Sequence, residues 1–140
     1  MDGSVSFHVQ DIEFNVPFPR KTRKWILDII SAEKRRLIAI HYIFCSDSFL
    51  LSLNLRFLKH KTFTDILTFD YSEQGLINAD IYISVERVRE NSLKFHNTFE
   101  HELRRVMIHG VLHLLGYSDK TSGEKSTMRK REEACLSLYT

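Results

Sequence analysis

The segment from Val106 to Leu115, VMIHGVLHLL, constrains the fold more than any other part of the chain. Its hydrophobic side chains predict a buried helix, and Gly116 directly after it predicts where that helix ends. His109 and His113 are its only polar side chains, and burying a polar group without a partner costs about 1–3 kcal/mol. We therefore expect both imidazoles to have a specific partner in the folded protein.

The spacing of the two histidines favours a shared metal ion. On a helix, residues four apart lie on one face with Cβ atoms about 5–6 Å apart, so two imidazoles can reach one ion. A turn at Gly116 can return Asp119 to this face as a third ligand, which gives the pattern H-x-x-x-H-x-x-G-x-x-D. Two nitrogens, one oxygen and a fourth position open to water are typical of catalytic zinc sites. We predict one Zn²⁺ bound by His109, His113 and Asp119, with another divalent metal as an alternative. The competing interpretation is a pair of core histidines that are hydrogen-bonded to backbone carbonyls.

The residue after the first histidine argues against one common class of metalloenzyme. Metallopeptidase helices read H-E-x-x-H, in which the glutamate is the general base. Gly110 stands at that position here, so we expect no peptidase chemistry of this type. A bound zinc ion can itself lower the pKa of water to about 7, so water activation does not require that glutamate.

The hydrophobic patterning predicts a single α+β domain over residues 1–140, with a mixed sheet of about four strands packed against about five helices. No repeat or linker divides the chain. The order strand, helix, strand at the start favours at least one parallel strand pair. Short alternating or continuous apolar runs predict strands, and helical periodicity predicts helices. The predicted strands are 4–9, 37–44, 66–71 and 79–84, and the predicted helices are 20–33, 48–57, one from about 85, 97–115 and about 122–138.

Composition excludes several classes of protein. With 43% hydrophobic and 27% charged residues the chain has the balance of a globular protein, not of a disordered one. No apolar run approaches the roughly 20 residues of a membrane helix. The first residues lack the basic start and apolar stretch of a secretory signal, so we expect none. Two cysteines are too few for a disulfide framework. We expect a cytoplasmic protein with no membrane partner. A net charge of +2 is compatible with a polyanionic partner but does not predict one.

Several blocks of the sequence resemble the YbeY family of bacterial metal-dependent endoribonucleases. HGVLHLLGYSD, residues 109–119, is similar to the family motif H-G-x-L-H-L-x-G-Y-D-H. LNLRFLKHKTFTDILTFDY, residues 53–71, contains a block similar to T-D-[VI]-L-S-F, and ADIYIS, residues 79–84, is similar to G-D-I-x-I-S. Met128 and Glu132 match the family's M-x-x-x-E spacing.

The resemblance implies an activity and partners. It implies a single YbeY-like metallohydrolase domain that hydrolyses single-stranded RNA during ribosomal RNA maturation. The implied partners are rRNA precursors and the ribosome or its small subunit. Two other functions stay open: a metal-stabilised, non-catalytic binding module that associates with the ribosome, and a metallohydrolase with a non-RNA substrate.

Two positions depart from the family pattern. The family's third histidine falls on Asp119, with Ser118 before it, and an aspartate keeps the ligand but can alter the metal preference. Leu58 stands where the family has an arginine implicated in activity. We expect the basic 56–61 loop to offset charge on the RNA phosphates, but no residue matches by position, so the catalytic and substrate-binding residues are unknown. The basic residues of this loop are Arg56, Lys59, His60 and Lys61.

Other polar residues have ordinary interpretations. Glu102 lies seven residues before His109 on the same predicted helical face, which fits either a partner of a metal ligand or, preferably, a surface glutamate. Asp65 and Asp80 are expected in turn or backbone pairing rather than at the cleft. Glu132 is expected to pair along its own helix.

Overall fold

A four-stranded mixed sheet organises the fold in the computed structural model, which describes residues 3–59 and 63–140. In chain order the strands are β1 (Ser4–Val9), β2 (Arg36–Cys45), β3 (Ile66–Asp70) and β4 (Leu76–Ser84). Their order in the sheet is β1-β2-β4-β3. β1 and β4 both pair in parallel with β2, whereas β3 pairs antiparallel with β4. The predicted mixed sheet with a parallel pair is confirmed.

Five α-helices accompany this sheet in the described part of the chain. They are α1 (Pro19–Ala32), α2 (Asp47–Leu53), α3 (Val85–Lys94), α4 (Phe99–Leu114) and α5 (Ser122–Ser137). A short π-helical segment, Asn54–Leu58, follows α2. The predicted single α+β domain is therefore confirmed. None of the helices among the described residues is both long and apolar enough to span a membrane.

Local sequence explains where the helices begin. α1 has Pro19 in its first turn, where the missing N–H of proline costs no hydrogen bond. The other four helices follow a serine or threonine whose hydroxyl accepts a hydrogen bond from a backbone N–H of the first turn. These capping residues are Ser46, Ser84, Thr98 and Thr121.

The main core lies between one face of the sheet and helices α1, α3, α4 and α5. Strand alternation turns Ile40, Tyr42 and Phe44 of β2 toward this core, and none of the three has exposed surface. The Tyr42 hydroxyl donates a 2.9 Å hydrogen bond to the Met107 carbonyl of α4, so this buried polar group is satisfied. This packing holds α4 directly against the sheet.

Gly110 allows α4 to approach the sheet closely. A Cβ atom at this position would lie 3.0 Å from Cδ1 of Ile66 and 3.1 Å from Cδ1 of Ile81. Any larger side chain at residue 110 would therefore project into the sheet. Close packing against the sheet therefore explains why this position holds glycine rather than the glutamate of metallopeptidases.

Element boundaries differ from the predictions in two places. β4 begins at Leu76 rather than at residue 79, because the alternation of buried Ile77 and Ala79 extends the strand where it pairs with β2. The helix predicted over 48–57 is α-helical only to Leu53 and continues as the π-helical segment. Residues 60–62 of the predicted 58–64 loop lie outside the described residues. The remaining ends shift by one or two residues, which is ordinary for helix and strand termini.

Candidate metal centre

The two histidines lie at the edge of the buried face of α4. Ile108 and Leu112, each next to one histidine in the chain, have no exposed surface. The side chains of His109 and His113 are 19% and 34% exposed, so each ring reaches solvent on one side. The helix is therefore anchored in the core while both imidazoles are accessible.

The C-terminal end of α4 returns the chain toward the histidines. Gly116 has a φ of +106°, a backbone conformation that glycine adopts without the steric cost of a Cβ atom. The Gly116 N–H donates to the His113 carbonyl and the Tyr117 N–H donates to the Leu112 carbonyl, both at 3.0 Å. These two bonds form a Schellman motif, which satisfies the last carbonyls of the helix. The predicted glycine turn is confirmed, and Asp119 lies three residues beyond it.

The donor atoms of the three predicted ligands converge on one point. Nε2 of His113 lies 3.0 Å from Nε2 of His109. Oδ2 of Asp119 lies 3.4 Å from Nε2 of His109 and 3.5 Å from Nε2 of His113. Ligands that are about 2.0–2.1 Å from a tetrahedral zinc ion stand about 3.3–3.4 Å from one another. The observed separations fit the size of such an ion.

A carboxylate from α5 supports the first histidine. Nδ1 of His109 lies 2.5 Å from Oε2 of Glu132. Because an ionised carboxylate only accepts hydrogen bonds, Nδ1 carries the proton and Nε2 presents its lone pair toward His113 and Asp119. A carboxylate behind a ligand histidine is common at metal sites and fixes the orientation of the ring. Glu132 contacts α4 in this way, so the expectation that it pairs along its own helix is wrong.

Arg105 joins this carboxylate to a second one on α4. Its Nε donates to Oε1 of Glu102 at 3.1 Å, and its Nη1 donates to Oε1 of Glu132 at 3.2 Å. Burial lowers the pKa of Arg105, but the hydrogen bond and charge of Glu102, followed by those of Glu132, outweigh it and raise the pKa above its ordinary value. Glu102 has no exposed surface, so its interpretation as a surface glutamate is wrong. Its charge is buried because Arg105 compensates it.

Asp65, just before β3, interacts electrostatically with Arg105 and Glu102. Burial raises the pKa of the Asp65 carboxyl above its ordinary value, and the positive charge of Arg105 opposes this only in part. Its backbone carbonyl accepts a 3.0 Å hydrogen bond from the Ser84 N–H, as the predicted backbone pairing requires. Asp65 thus combines a backbone role with a carboxyl close to the candidate centre.

Asp80 lies in a different environment from Asp65. Its neighbours Ala79 and Ile81 face the main core, so strand alternation puts Asp80 on the opposite face of the sheet from α4. There its carboxylate accepts a hydrogen bond of 3.3 Å from the Tyr71 hydroxyl. The interpretation of Asp80 as a residue outside the cleft agrees with this position.

The basic loop predicted to face phosphates is described only in part. Leu58 is 46% exposed, and the Arg56 guanidinium lies 5.8 Å from the centre of the Phe57 ring. That ring lines an apolar cavity of about 300 Å³ on the face of the sheet opposite to α4. Lys59 ends the π-helical segment with a φ of +56°. His60 and Lys61 lie outside the described residues, so a role for the loop stays a prediction.

A second cavity borders the candidate centre itself. Its volume is about 190 Å³, and α5 supplies most of its wall. Sequence reasoning did not assign the α5 residues or Arg105 to the metal site, although the M-x-x-x-E spacing pointed to α5. The lining residues are Arg105, His109, Asp119, Lys125, Met128, Arg129 and Glu132.

Comparisons with known proteins agree with this geometry. The family model for endoribonuclease YbeY matches residues 5–140. A protein of Amoebophilus asiaticus named endoribonuclease YbeY is 47% identical over 131 residues, which cover 93% of this chain and 89% of the relative. A protein of Cytophaga hutchinsonii with the same name is 45% identical over 138 residues, covering 98% of this chain and 96% of the relative.

A solved structure supports the same conclusion about the fold. The solution structure of a Thermotoga maritima protein superposes with a TM-score of 0.69 at 29% identity, covering 94% of this chain and 86% of that chain. Fold and sequence together define the class of protein as endoribonucleases built on this α+β domain. Since the family model covers almost the whole chain and relatives share 45–47% of their residues with it, the chain belongs to the endoribonuclease YbeY family.

Proposed function

We propose that this chain is a metal-dependent endoribonuclease that hydrolyses single-stranded RNA during ribosomal RNA maturation. The single observation that carries the proposal is the convergence of three donor atoms, from His109, His113 and Asp119, within 3.0–3.5 Å of one another. Membership of an endoribonuclease family supports RNA as the substrate, and the three converging donor atoms support a bound metal ion. We propose Zn²⁺ as the ion, because two imidazoles with one carboxylate are a common catalytic zinc set. The harder aspartate oxygen also admits another divalent ion.

The chain's own residues prepare this site for a metal ion. Glu132 holds the proton of His109 on Nδ1, so that Nε2 remains a ligand. Arg105 holds Glu132 by a hydrogen bond and prevents an uncompensated buried charge. When bound, a divalent ion supplies Lewis acidity toward a phosphoryl oxygen and a lowered pKa for water. The Asp119 side chain is 39% exposed, so an RNA strand can approach the ligands from that side.

The same proposal sets the biological context. The whole domain, residues 1–140, acts as one metallohydrolase, with rRNA precursors as substrate and the ribosome or its small subunit as partner. Such a substrate implies work in the cytoplasm. A peptidase of the H-E-x-x-H kind is disfavoured, since a side chain at Gly110 would project toward Ile66 and Ile81 and not into the site.

The first test removes both histidines. We expect His109→Ala/His113→Ala to lose its bound metal and its cleavage of single-stranded RNA together, because two of the three ligands are gone. Metal content is measured by mass spectrometry, and cleavage is measured on a labelled RNA and on casein, with and without a chelator. His96→Ala/His101→Ala removes two histidines outside the centre and is the matched control.

Three results of this test would each contradict part of the proposal. Full RNA cleavage by a metal-free double variant excludes metal-dependent catalysis. Metal binding without turnover of RNA identifies a binding module instead. Chelator-sensitive turnover of casein but not RNA identifies a hydrolase with another substrate.

A further inference from the structure

The cavity beside the candidate metal centre carries three cationic side chains. Arg105 comes from α4, and Lys125 and Arg129 come from α5. The cavity also includes two of the proposed metal ligands, His109 and Asp119. A ligand in this cavity would thus contact the metal site and the cations at the same time.

The three cations differ in how they are paired. Arg105 donates to the carboxylates of Glu102 and Glu132, so its charge is balanced within the protein. Lys125 and Arg129 are exposed, and within residues 3–59 and 63–140 neither makes an ion pair with a carboxylate within 4 Å. Two cations at a cavity wall therefore lack an anionic partner in the described part of the chain.

The position of these two cations on α5 is set by Glu132. Residues at positions 125, 129 and 132 lie on one face of the helix, because they are separated by four and three residues. Glu132 contacts His109, so this face is turned toward the candidate centre. Arg129 lies about 4.5 Å along the helix axis from Glu132, and Lys125 lies about 6 Å further. The two cations form a track along the face of α5 that borders the same cavity as the proposed metal ligands His109 and Asp119.

We propose that Lys125 and Arg129 form a phosphate-binding subsite for the RNA strand that enters the metal centre. The inference rests on the proposed function and names the residues that hold its substrate. Arg129, with its planar fork of N–H donors, suits bidentate contact with one phosphate, and Lys125 suits a point-charge contact with the next. In this chain α5 supplies the positive charge that Leu58, in the place of the family's arginine, does not.

The alternative position for the phosphates is the 56–61 loop. In the described part of that loop, the Arg56 guanidinium lies over Phe57, whose ring lines the cavity on the other face of the sheet. Lys125 and Arg129, in contrast, share a cavity with His109. Proximity to the proposed metal ligands therefore favours α5 over the described part of the loop.

The experiment compares two double variants that each remove one arginine and one lysine. Lys125→Ala/Arg129→Ala removes the proposed subsite, and Arg20→Ala/Lys130→Ala removes the same charges from other exposed positions. Binding of a fluorescent single-stranded oligoribonucleotide to chelator-treated protein is measured by anisotropy at several salt concentrations. Cleavage of the same RNA by the metal-loaded protein gives kcat and KM, and metal content is measured for every variant.

We expect the subsite variant to keep its metal and to raise KM with little change in kcat. The slope of log K against log salt is negative, and each lost phosphate contact on a single strand makes it shallower by about 0.7, so we expect it to become shallower by about 1.4. The control variant should keep the native slope and KM, because its charges lie elsewhere.

Three results overturn the subsite. If the native protein cleaves RNA and the subsite variant has the native slope and KM, the subsite is wrong while the proposed function stands. If both double variants make the slope shallower by the same amount, the effect is one of net charge, and the assignment to Lys125 and Arg129 is wrong. A native protein that neither binds nor cleaves RNA refutes the proposed function, and the subsite with it.

Discussion

At the scale of single residues, the arrangement around His109 shows how a proposed metal ligand is held in one orientation. Its Nδ1 faces the buried carboxylate of Glu132, and its Nε2 faces His113 and Asp119. A histidine without such a partner can rotate or change its tautomer, and its affinity for metal then falls. Glu132 is itself held by Arg105, so ring orientation depends on a chain of contacts between two helices.

The role of Glu132 can be tested with its neighbour as control. We expect Glu132→Gln to lower metal affinity about 10–100-fold, because a neutral amide does not fix the Nδ1 proton as a carboxylate does. Glu133 is exposed, so Glu133→Gln should bind metal as the native protein does. Competition with a chromophoric chelator measures both affinities. Equal metal affinity in the two variants would show that Glu132 does not support the ligand.

At the scale of secondary-structure elements, the close packing of α4 on the sheet determines the positions of the proposed metal ligands. Gly110 lies between the two histidines in sequence and against Ile66 and Ile81 in space. The helix therefore contacts β3 and β4 at the level of the candidate centre. The Gly116 turn at the end of the same helix brings Asp119 back to it.

This packing predicts the effect of a larger side chain at residue 110. We expect Gly110→Leu to lower the free energy of unfolding by about 1–3 kcal/mol, because overpacking forces the helix and sheet apart. A Cβ atom at Gly123 meets no heavy atom within 4 Å, so Gly123→Ala should cause no loss of stability. Urea denaturation, monitored by circular dichroism, measures the free energy of unfolding of both variants and of the native protein. If Gly110→Leu unfolds at the same urea concentration as the native protein, the contact between α4 and the sheet at Gly110 is not tight.

At the scale of the whole molecule, the layers of the fold cover both thiols. Cys45 is fully buried, and its Sγ lies 3.5 Å from the carbonyl of Ile83 in the neighbouring strand. Burial, together with the charges of Asp11, Asp47 and Glu86, raises the pKa of Cys45 to about 12. Burial also raises the pKa of Cys135, in part against the charge of Arg131. Neither thiol forms a disulfide among the described residues.

These pKa shifts predict how the thiols react. A thiol whose pKa is raised stays protonated at mildly alkaline pH, and only the thiolate is a good nucleophile. We expect no alkylation of either cysteine by iodoacetamide in the folded protein at pH 8.5, and two modifications per chain after unfolding in urea. Mass spectrometry counts the modifications. Rapid alkylation of the folded protein would show that a thiol is exposed or ionised.

Much of the fold and the proposed ligand set could be predicted from the sequence because both depend on local periodicity. Two histidines four residues apart share a helical face wherever the helix lies, and a glycine turn follows within three residues. Asp119 is only six residues beyond His113, so few backbone conformations decide its position. Short apolar and alternating runs likewise predicted the strands, although they missed the first residues of β4, and the order of strands and helices predicted the mixed sheet.

Only the tertiary structure decided which residues surround those ligands. Glu132 is 23 residues from His109 in the chain. Arg105 pairs with Glu102 within α4, but it reaches Glu132 only because α5 packs on α4. The track formed by Lys125 and Arg129 depends on the same packing, and in the sequence these residues look like any solvated helix face. The sequence by itself determined the pattern of the proposed ligands, since that pattern is built along one stretch of backbone. The packing between helices decided the partners, since contacts between distant segments depend on how whole elements meet.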